Sequence, residues 1–280
     1  MTTIHNDNPE YLCREVRKIA AEAARYIAAE RKRFTADKVE TKGAYNFVSY
    51  VDKGAEALIV NALERLLPEA AFVAEEGSGR LDPMAPYQWI IDPLDGTTNF
   101  VHGMPPYAVS IALWDTQARE TVVGVVHEVT LDESFYAWQG ASGAFLNGEP
   151  IHVSNTVASV EDALVLTGLA YGLDETIIRH FEHTFAYFNR HSHGARRIGS
   201  AATDLIYVAC GRADVFYQVN LSPWDVAAGA FIVRQAGGRV TDFQGGEDYT
   251  FGRTVLAAAP SVWEPVFQLV ADPKIFNPRP

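Results

Sequence analysis

The segment Trp89–Phe100, WIIDPLDGTTNF, sets a strand end, two carboxylates, a turn and a helix start within a dozen residues. Tyr87 to Ile91 has the aromatic, amide and β-branched composition of a buried strand, which is expected to run inward and stop at Asp92. Pro93 fixes its own φ and pushes Asp92 out of the helical region, so Asp92 and Asp95 can face one point across a tight turn, with the Leu94 carbonyl beside them. Carboxylates and backbone carbonyls are the oxygen ligands that a hard cation such as Mg²⁺ takes. Gly96 lets the backbone approach a ligand, and Thr97-Thr98-Asn99 reads as a helix start whose unpaired N–H groups attract an anion. Together these features point to a metal-dependent phosphate site. Taken alone, Asp-Pro-Leu-Asp-Gly also has the composition of a surface turn.

Two more acidic sites bear on that choice. Glu75 and Glu76 follow the short apolar run Ala71 to Ala74, another strand ending in carboxylates, and precede Gly77-Ser78-Gly79. Far downstream, Asp225 follows Ser222, Pro223 and Trp224 at the head of a long apolar segment, with Ser222 and Pro223 placed as N-cap and first helical residue. The competing reading of Asp225 is a first-turn acid that complements the helix dipole.

The chain is similar to members of the inositol monophosphatase family, the Mg²⁺-dependent, lithium-sensitive sugar phosphatases. Asp92 through Phe100 resembles the family signature D-P-[I/L]-D-G-T-x-N-[F/Y], and Trp224 through Gly229 with Ala236-Gly237-Gly238 resembles W-D-x-A-A-G followed by A-G-G. Between them Arg196 to Ala202, RRIGSAA, resembles the segment that precedes a helix near the substrate. The match runs from about Lys42 to the last strand.

The resemblance implies a first metal held by Glu75, Asp92 and the Leu94 carbonyl, and a second by Asp92, Asp95 and Asp225, with Asp92 bridging. Glu75, Asp95 and Thr97 are the implied catalytic residues, Thr97 and Glu75 orienting and deprotonating the attacking water. The backbone N–H groups of Gly96 and Thr97 would bind phosphate, and Gly199, Ser200, Ala201 and Gln218 would face the substrate. Lys42 and Asp52 correspond to positions near a third metal and the water network. The implied activity is hydrolysis of a small polyol or sugar phosphate by in-line attack of a metal-activated water, with two or three Mg²⁺ per site. Inositol 1-phosphate is the leading substrate, followed by histidinol phosphate and fructose 1,6-bisphosphate, then 3′-phosphoadenosine 5′-phosphate. Relatives are commonly dimers, so a homodimer is expected.

Two departures stand out. Relatives often carry D-x-V-T-x-x-D where this chain reads Asn46 to Asp52, NFVSYVD, which keeps hydrogen bonds and drops a charge. Seven residues before Asp225, where many relatives have a Glu that grips substrate hydroxyls, stands Gln218. A carboxylate only accepts hydrogen bonds whereas an amide also donates, so the hydroxyl pattern recognised can differ.

At 280 residues and 48% hydrophobic content the chain can bury a large core. One domain over 1–280 is expected, with residues 1–150 carrying most ligands and 151–280 contributing Asp225 and the substrate wall. The family's layered α/β fold, an αβαβα sandwich, is the expected architecture. A net charge of −12 argues against a nucleic-acid partner, since phosphate backbones demand clustered Lys and Arg. No membrane partner is expected, because no apolar run reaches the roughly 20 residues of a span. The start, MTTIHNDNPEYL, has neither a basic nor an apolar leader pattern, from which a cytoplasmic location is expected. Cys13 and Cys210 are expected as free buried thiols.

Amphipathic helices are expected from Pro9 to about Phe34 and from about Ser49 to Leu67, with Glu40–Gly43 as a hydrophilic loop between them. An antiparallel meander is expected across Ala108–Leu146, closed by Asn147-Gly148. Further helices are expected near Glu175–Asn189, Ser200–Cys210 and Asp225–Gln235. His180, His183, His191 and His193 suggest zinc by spacing but lack a Cys or acidic partner, so a solvent-facing helix and loop is the reading adopted. Arg196-Arg197 suits a phosphate or an ion pair equally. A function from another class, a binding or regulatory protein on a phosphatase scaffold, would be signalled by loss of a metal ligand, and none is lost.

Overall fold

The computed structural model describes residues 8–34, 39–43, 46–169 and 172–272, with 39–43 and 46–49 described by their backbone. Helix α1 (Pro9–Arg31) starts where the Asn8 side chain accepts the Glu10 N–H at 2.9 Å, with proline at its first position. Strands β1 (Val39–Gly43) and β2 (Asn46–Ser49) pair antiparallel, Glu40 opposite Val48. Glu40–Gly43 is therefore a strand and not a loop, its unpaired backbone taken up by β2.

Helix α2 (Tyr50–Leu66) leads into β3 (Ala71–Ala74), β4 (Tyr87–Asp95), the short α3 (Thr97–His102), β5 (Ala108–Asp115), β6 (Glu120–Glu128), β7 (Glu133–Trp138), β8 (Ala144–Leu146) and β9 (Glu149–Ile151). These seven strands form one sheet in chain order, β3 and β4 parallel and the rest antiparallel. Asn147 and Gly148 turn β8 into β9 with φ of 51° and 101°, the left-handed geometry that such a two-residue hairpin requires.

The second half continues through β10 (Val165–Thr167), α4 (Glu175–His191), β11 (Ala195–Arg196), α5 (Ala201–Ala209), β12 (Val215–Val219), α6 (Pro223–Gln235), β13 (Arg239–Thr241), β14 (Thr254–Ala258) and α7 (Pro260–Val270). Its five strands lie in the order β11-β10-β12-β14-β13. Three cores hold five layers together, the middle one enclosing the central helices on both sides. Leu12, Val16 and Ile27 of α1 and Ile59 and Leu63 of α2 pack on one face of the large sheet. Leu205 of α5 and Ile232 of α6 fill the space between the sheets, and Phe181, Phe188 and Trp263 of α4 and α7 cover the far side. The order is α, β, α, β, α, as expected.

The central helix layer is close-packed through Gly229, where a Cβ would fall 2.7 Å from Leu205 Cβ and 2.8 Å from its Cδ1. Gly229→Ala is expected to push α5 from α6 and destabilise by about 1–2 kcal/mol, net of the gain in helix propensity. A urea midpoint equal to or above that of the parent protein would contradict it.

Cys13 is buried and its thiol is pushed up to about 12, mainly by burial, whereas Cys210 is partly exposed at the end of α5. The expectation of two buried thiols holds for the first alone, because Cys210 sits where α5 leaves the core. No described helix is long and apolar enough to cross a membrane.

Candidate active site

Strand β4 does not stop at Asp92. Asp92 pairs with Ser110 and Asp95 with Ala108 on β5, and the register shifts between them. The Asp-Pro-Leu-Asp unit is thus a bulge within a strand and not a turn, because Pro93 has no N–H for the ladder while β5 continues alongside. The Asp92 carboxylate accepts the Leu94 N–H at 2.9 Å, which closes the bulge. Gly96 follows at φ 94°, where a Cβ would press within 3.2–3.3 Å of the Pro106 carbonyl, Ser200 and Tyr107.

Asp225 reaches the same point from the other half. The Ser110 hydroxyl, opposite Asp92, donates to the Trp224 carbonyl at 3.1 Å and seats the start of α6 on β5. Asp225 also accepts the Ser222 N–H at 2.7 Å, so its helix-start role and its place in the cluster coexist. Carboxylate oxygens of Asp92, Asp95 and Asp225 lie within 4.8 Å of one another. Glu75 stands outside this tight trio, on the same cavity of about 550 Å³, and its charge raises both Asp92 and Asp225.

Helix α5 points its start at Asp95. Ser200 Oγ lies 2.6 Å from the Asp95 carboxylate, and the Ala202 N–H donates to it at 2.7 Å. Burial raises the Asp95 carboxyl to about 6, against the lowering effect of hydrogen bonds from Ser200, Ala202 and Gly96. Asp92 is raised well above the usual carboxylate range by burial and then by Glu75, Asp95 and Asp225, and Asp225 by burial and then Asp95. Three acids this close cannot all ionise without a compensating cation. An all-oxygen donor set of this charge fits a divalent hard cation, and the residues present therefore suit Mg²⁺.

Asp52, buried at the start of α2, accepts a hydrogen bond from the Thr97 hydroxyl at 2.9 Å, and Thr97 Oγ1 is 3.1 Å from the Leu94 carbonyl. Lys42's side chain lies outside the described residues. Gly199, Ser200, Ala201 and Gln218 all line the cavity, although Ser200 also caps α5 through the Thr203 N–H at 3.2 Å. A Cβ on Gly168 would overlap the Gln218 carboxamide, so this glycine makes room for it. Arg197 reaches the cavity too and donates to the Leu169 carbonyl at 3.2 Å, whereas Arg196 turns to the Ala195 carbonyl.

The sequence patterns do not single out two further residues of the site. Asn99 donates to the Pro106 and Ile198 carbonyls at 2.8 and 2.7 Å and so joins the halves. Asp204 is buried on α5 with Oδ1 unpartnered among the described residues, its carboxyl raised by burial and by Asp95. An acid in the first turn of an otherwise apolar helix was the available signal. The histidines take no part: His180 meets the Val270 carbonyl at 2.9 Å, and the acidic trio is the one metal-competent group among the described residues.

The layered fold and an oxygen-only acidic cluster at the junction of its halves define an α/β protein able to hold a divalent cation. The chain belongs to the inositol monophosphatase family, whose model matches residues 10–272. It is 39% identical over 246 residues to Nus factor SuhB of Escherichia coli K12, covering 88% of this chain and 90% of that protein. Among solved structures it is similar to the extragenic suppressor protein suhB of Bartonella henselae, with a TM-score of 0.83, 35% identity and 90% and 95% of the two chains covered. It is also similar to the Thermotoga maritima IMPase, with a TM-score of 0.80, 35% identity and coverage of 91% and 94%.

Proposed function

We propose that this protein is a Mg²⁺-dependent phosphomonoesterase acting on a small polyol or sugar phosphate, with inositol 1-phosphate the leading substrate. The observation that carries the reading is the convergence of Asp92, Asp95 and Asp225 within 4.8 Å beside Gly96 and Thr97. These three acids, with Glu75 and the Leu94 carbonyl, would hold the cation. When bound, Mg²⁺ supplies positive charge that lowers a water's pKa and offsets charge on the phosphoryl group. The Thr97 hydroxyl donates its proton to Asp52, which leaves its oxygen lone pairs free to accept from a water and aim it. The Thr97 N–H would bind the phosphate, whereas the Gly96 N–H, expected to do the same, is given to Asp95 and Gly96 serves to let the backbone come close. Gln218 would bind substrate hydroxyls as donor and acceptor at once. The halves 1–150 and 151–280 act as one unit in this reading, working as a homodimer.

The test is Mg²⁺-dependent phosphate release from inositol 1-phosphate, fructose 1,6-bisphosphate, histidinol phosphate and the bisphosphonucleotide. Preference for one, absent in Asp95→Asn, supports the reading. The relatives named Nus factor favour a second one, a regulatory protein on this scaffold. No release from any substrate, together with a macromolecular partner retained in pull-down, would select it.

Gly168→Ala tests the substrate wall. Displacing the Gln218 carboxamide is expected to raise KM for the preferred polyol phosphate about fivefold, the worth of one hydrogen bond, with kcat on a featureless aryl phosphate unchanged. Equal losses on both substrates would make Gln218 structural.

A further inference from the structure

Helix α1 carries a second recess, on the outer side of the large sheet and sharing no residue with the acidic cavity. Arg14, Arg17, Lys18, Ala21, Arg25 and, from β7, Ser134 line about 400 Å³. Helical geometry puts the five α1 positions within an arc of about 100° over about 16 Å. Two of the lining residues carry a buried polar atom without a partner among the described residues. Ser134 is 8% exposed, yet its Oγ has no hydrogen-bond partner among the described residues, and the same is true of Arg17 Nε. His127, cross-strand from Ser134, leaves Nδ1 unpartnered too. Buried polar atoms in folded proteins are rarely left so, and several around one recess mark a place where something polar binds.

The charge says what kind of ligand fits. Arg17 lies 3.7 Å over the Tyr136 ring, which fixes its guanidinium. Glu15 pairs with Arg14 at 3.2 Å and with Lys18 at 2.8 Å, Glu22 is exposed on the helix, and Asp132 meets His127 Nε2 at 3.1 Å. Arg25 has no ion pair among the described residues. Cations therefore outnumber carboxylates around a recess whose floor offers an unused hydroxyl and guanidinium donor.

We propose that this recess binds a small molecule carrying phosphate groups, with Ser134 and Arg17 donating at the floor and Lys18 and Arg25 at the rim. The volume lies in the range of small-molecule sites. A long nucleic acid is disfavoured because it would meet the field of a chain with net charge −12, whereas a compact anion meets only the local cations. The site is separate from the acidic cluster and does not depend on the phosphatase reading.

Calorimetric titration of the full chain with inorganic pyrophosphate, in metal-free buffer at neutral pH, tests it. One saturable site per chain is expected, weakened about tenfold or more in Arg25→Gln and in Ser134→Ala and unchanged in Asp225→Asn, since charged hydrogen bonds are lost only in the first two. Circular dichroism checks that the variants fold; Arg25 is exposed, so its substitution leaves the core intact. Absence of saturable binding, equal affinity in Arg25→Gln, or loss in Asp225→Asn would overturn the proposal. So would a short RNA oligomer that binds more tightly than pyrophosphate in an Arg25-dependent way, which would assign the surface to a polymer.

Discussion

Replacing Asp95 by Asn is expected to lower phosphate release at least about a thousandfold, a loss of about 4 kcal/mol of transition-state stabilisation, with the fold preserved. Asn matches Asp in volume and keeps one oxygen, which can still accept from the Ser200 hydroxyl and the Ala202 N–H that hold Asp95 at 2.6 and 2.7 Å. The other oxygen becomes an NH₂ donor that cannot ligate a cation. Phosphate release at saturating Mg²⁺, paired with a thermal melt, reads both halves of the expectation. Activity within tenfold of the parent protein would remove Asp95 from the proposed ligand set, and a collapsed melt would show that its role is structural.

The second large effect concerns stability. The Asp95 carboxyl rises from an ordinary 3.8 to about 6 in the folded chain, so the metal-free native state binds this proton more tightly than the unfolded state does. Unfolding free energy then falls as pH rises through this window, by at most about 3 kcal/mol from Asp95 alone. Asp92 and Asp225 are also raised and push the same way. A cation replaces the protons, so its stabilisation should grow over the same range. At a hundredfold excess over Kd, Mg²⁺ is expected to add about 2.7 kcal/mol, or roughly 5 °C in Tm, at pH about 8, and much less at pH about 5. An equal shift at both pH values, or the full shift retained in Asp225→Asn, would refute the linkage.

Local patterns in the sequence suffice where period and punctuation decide structure. Pro9 and Ser222-Pro223 start helices where expected, and Asn147-Gly148 makes the expected turn, although it carries the meander on into β9 and does not close it. Elsewhere tertiary context decides. Tyr87 to Ile91 reads as a strand that ends at Asp92, yet β5 supplies Ala108 as a partner beyond it and turns the proline into a bulge. Glu40–Gly43 reads as a loop until β2 pairs with it. In each case a neighbouring strand supplied hydrogen bonds that no local propensity foretells.

For the site, the sequence by itself determined the chemistry on offer: carboxylate oxygens at Glu75, Asp92, Asp95 and Asp225, a glycine beside them, and an amide at Gln218. Residue type and family resemblance carry that much because metal preference follows the ligand atoms. Only the tertiary structure decided which of these meet. It gathered Asp92, Asp95 and Asp225 and left Glu75 at the margin; it tied Thr97 to Asp52 across 45 positions and put Asn99 between the halves. It also laid the α1 cations over Ser134, which the net charge concealed. Charge totals and motif spacing carry no distances, whereas a buried cluster is made by the packing of elements far apart in the chain.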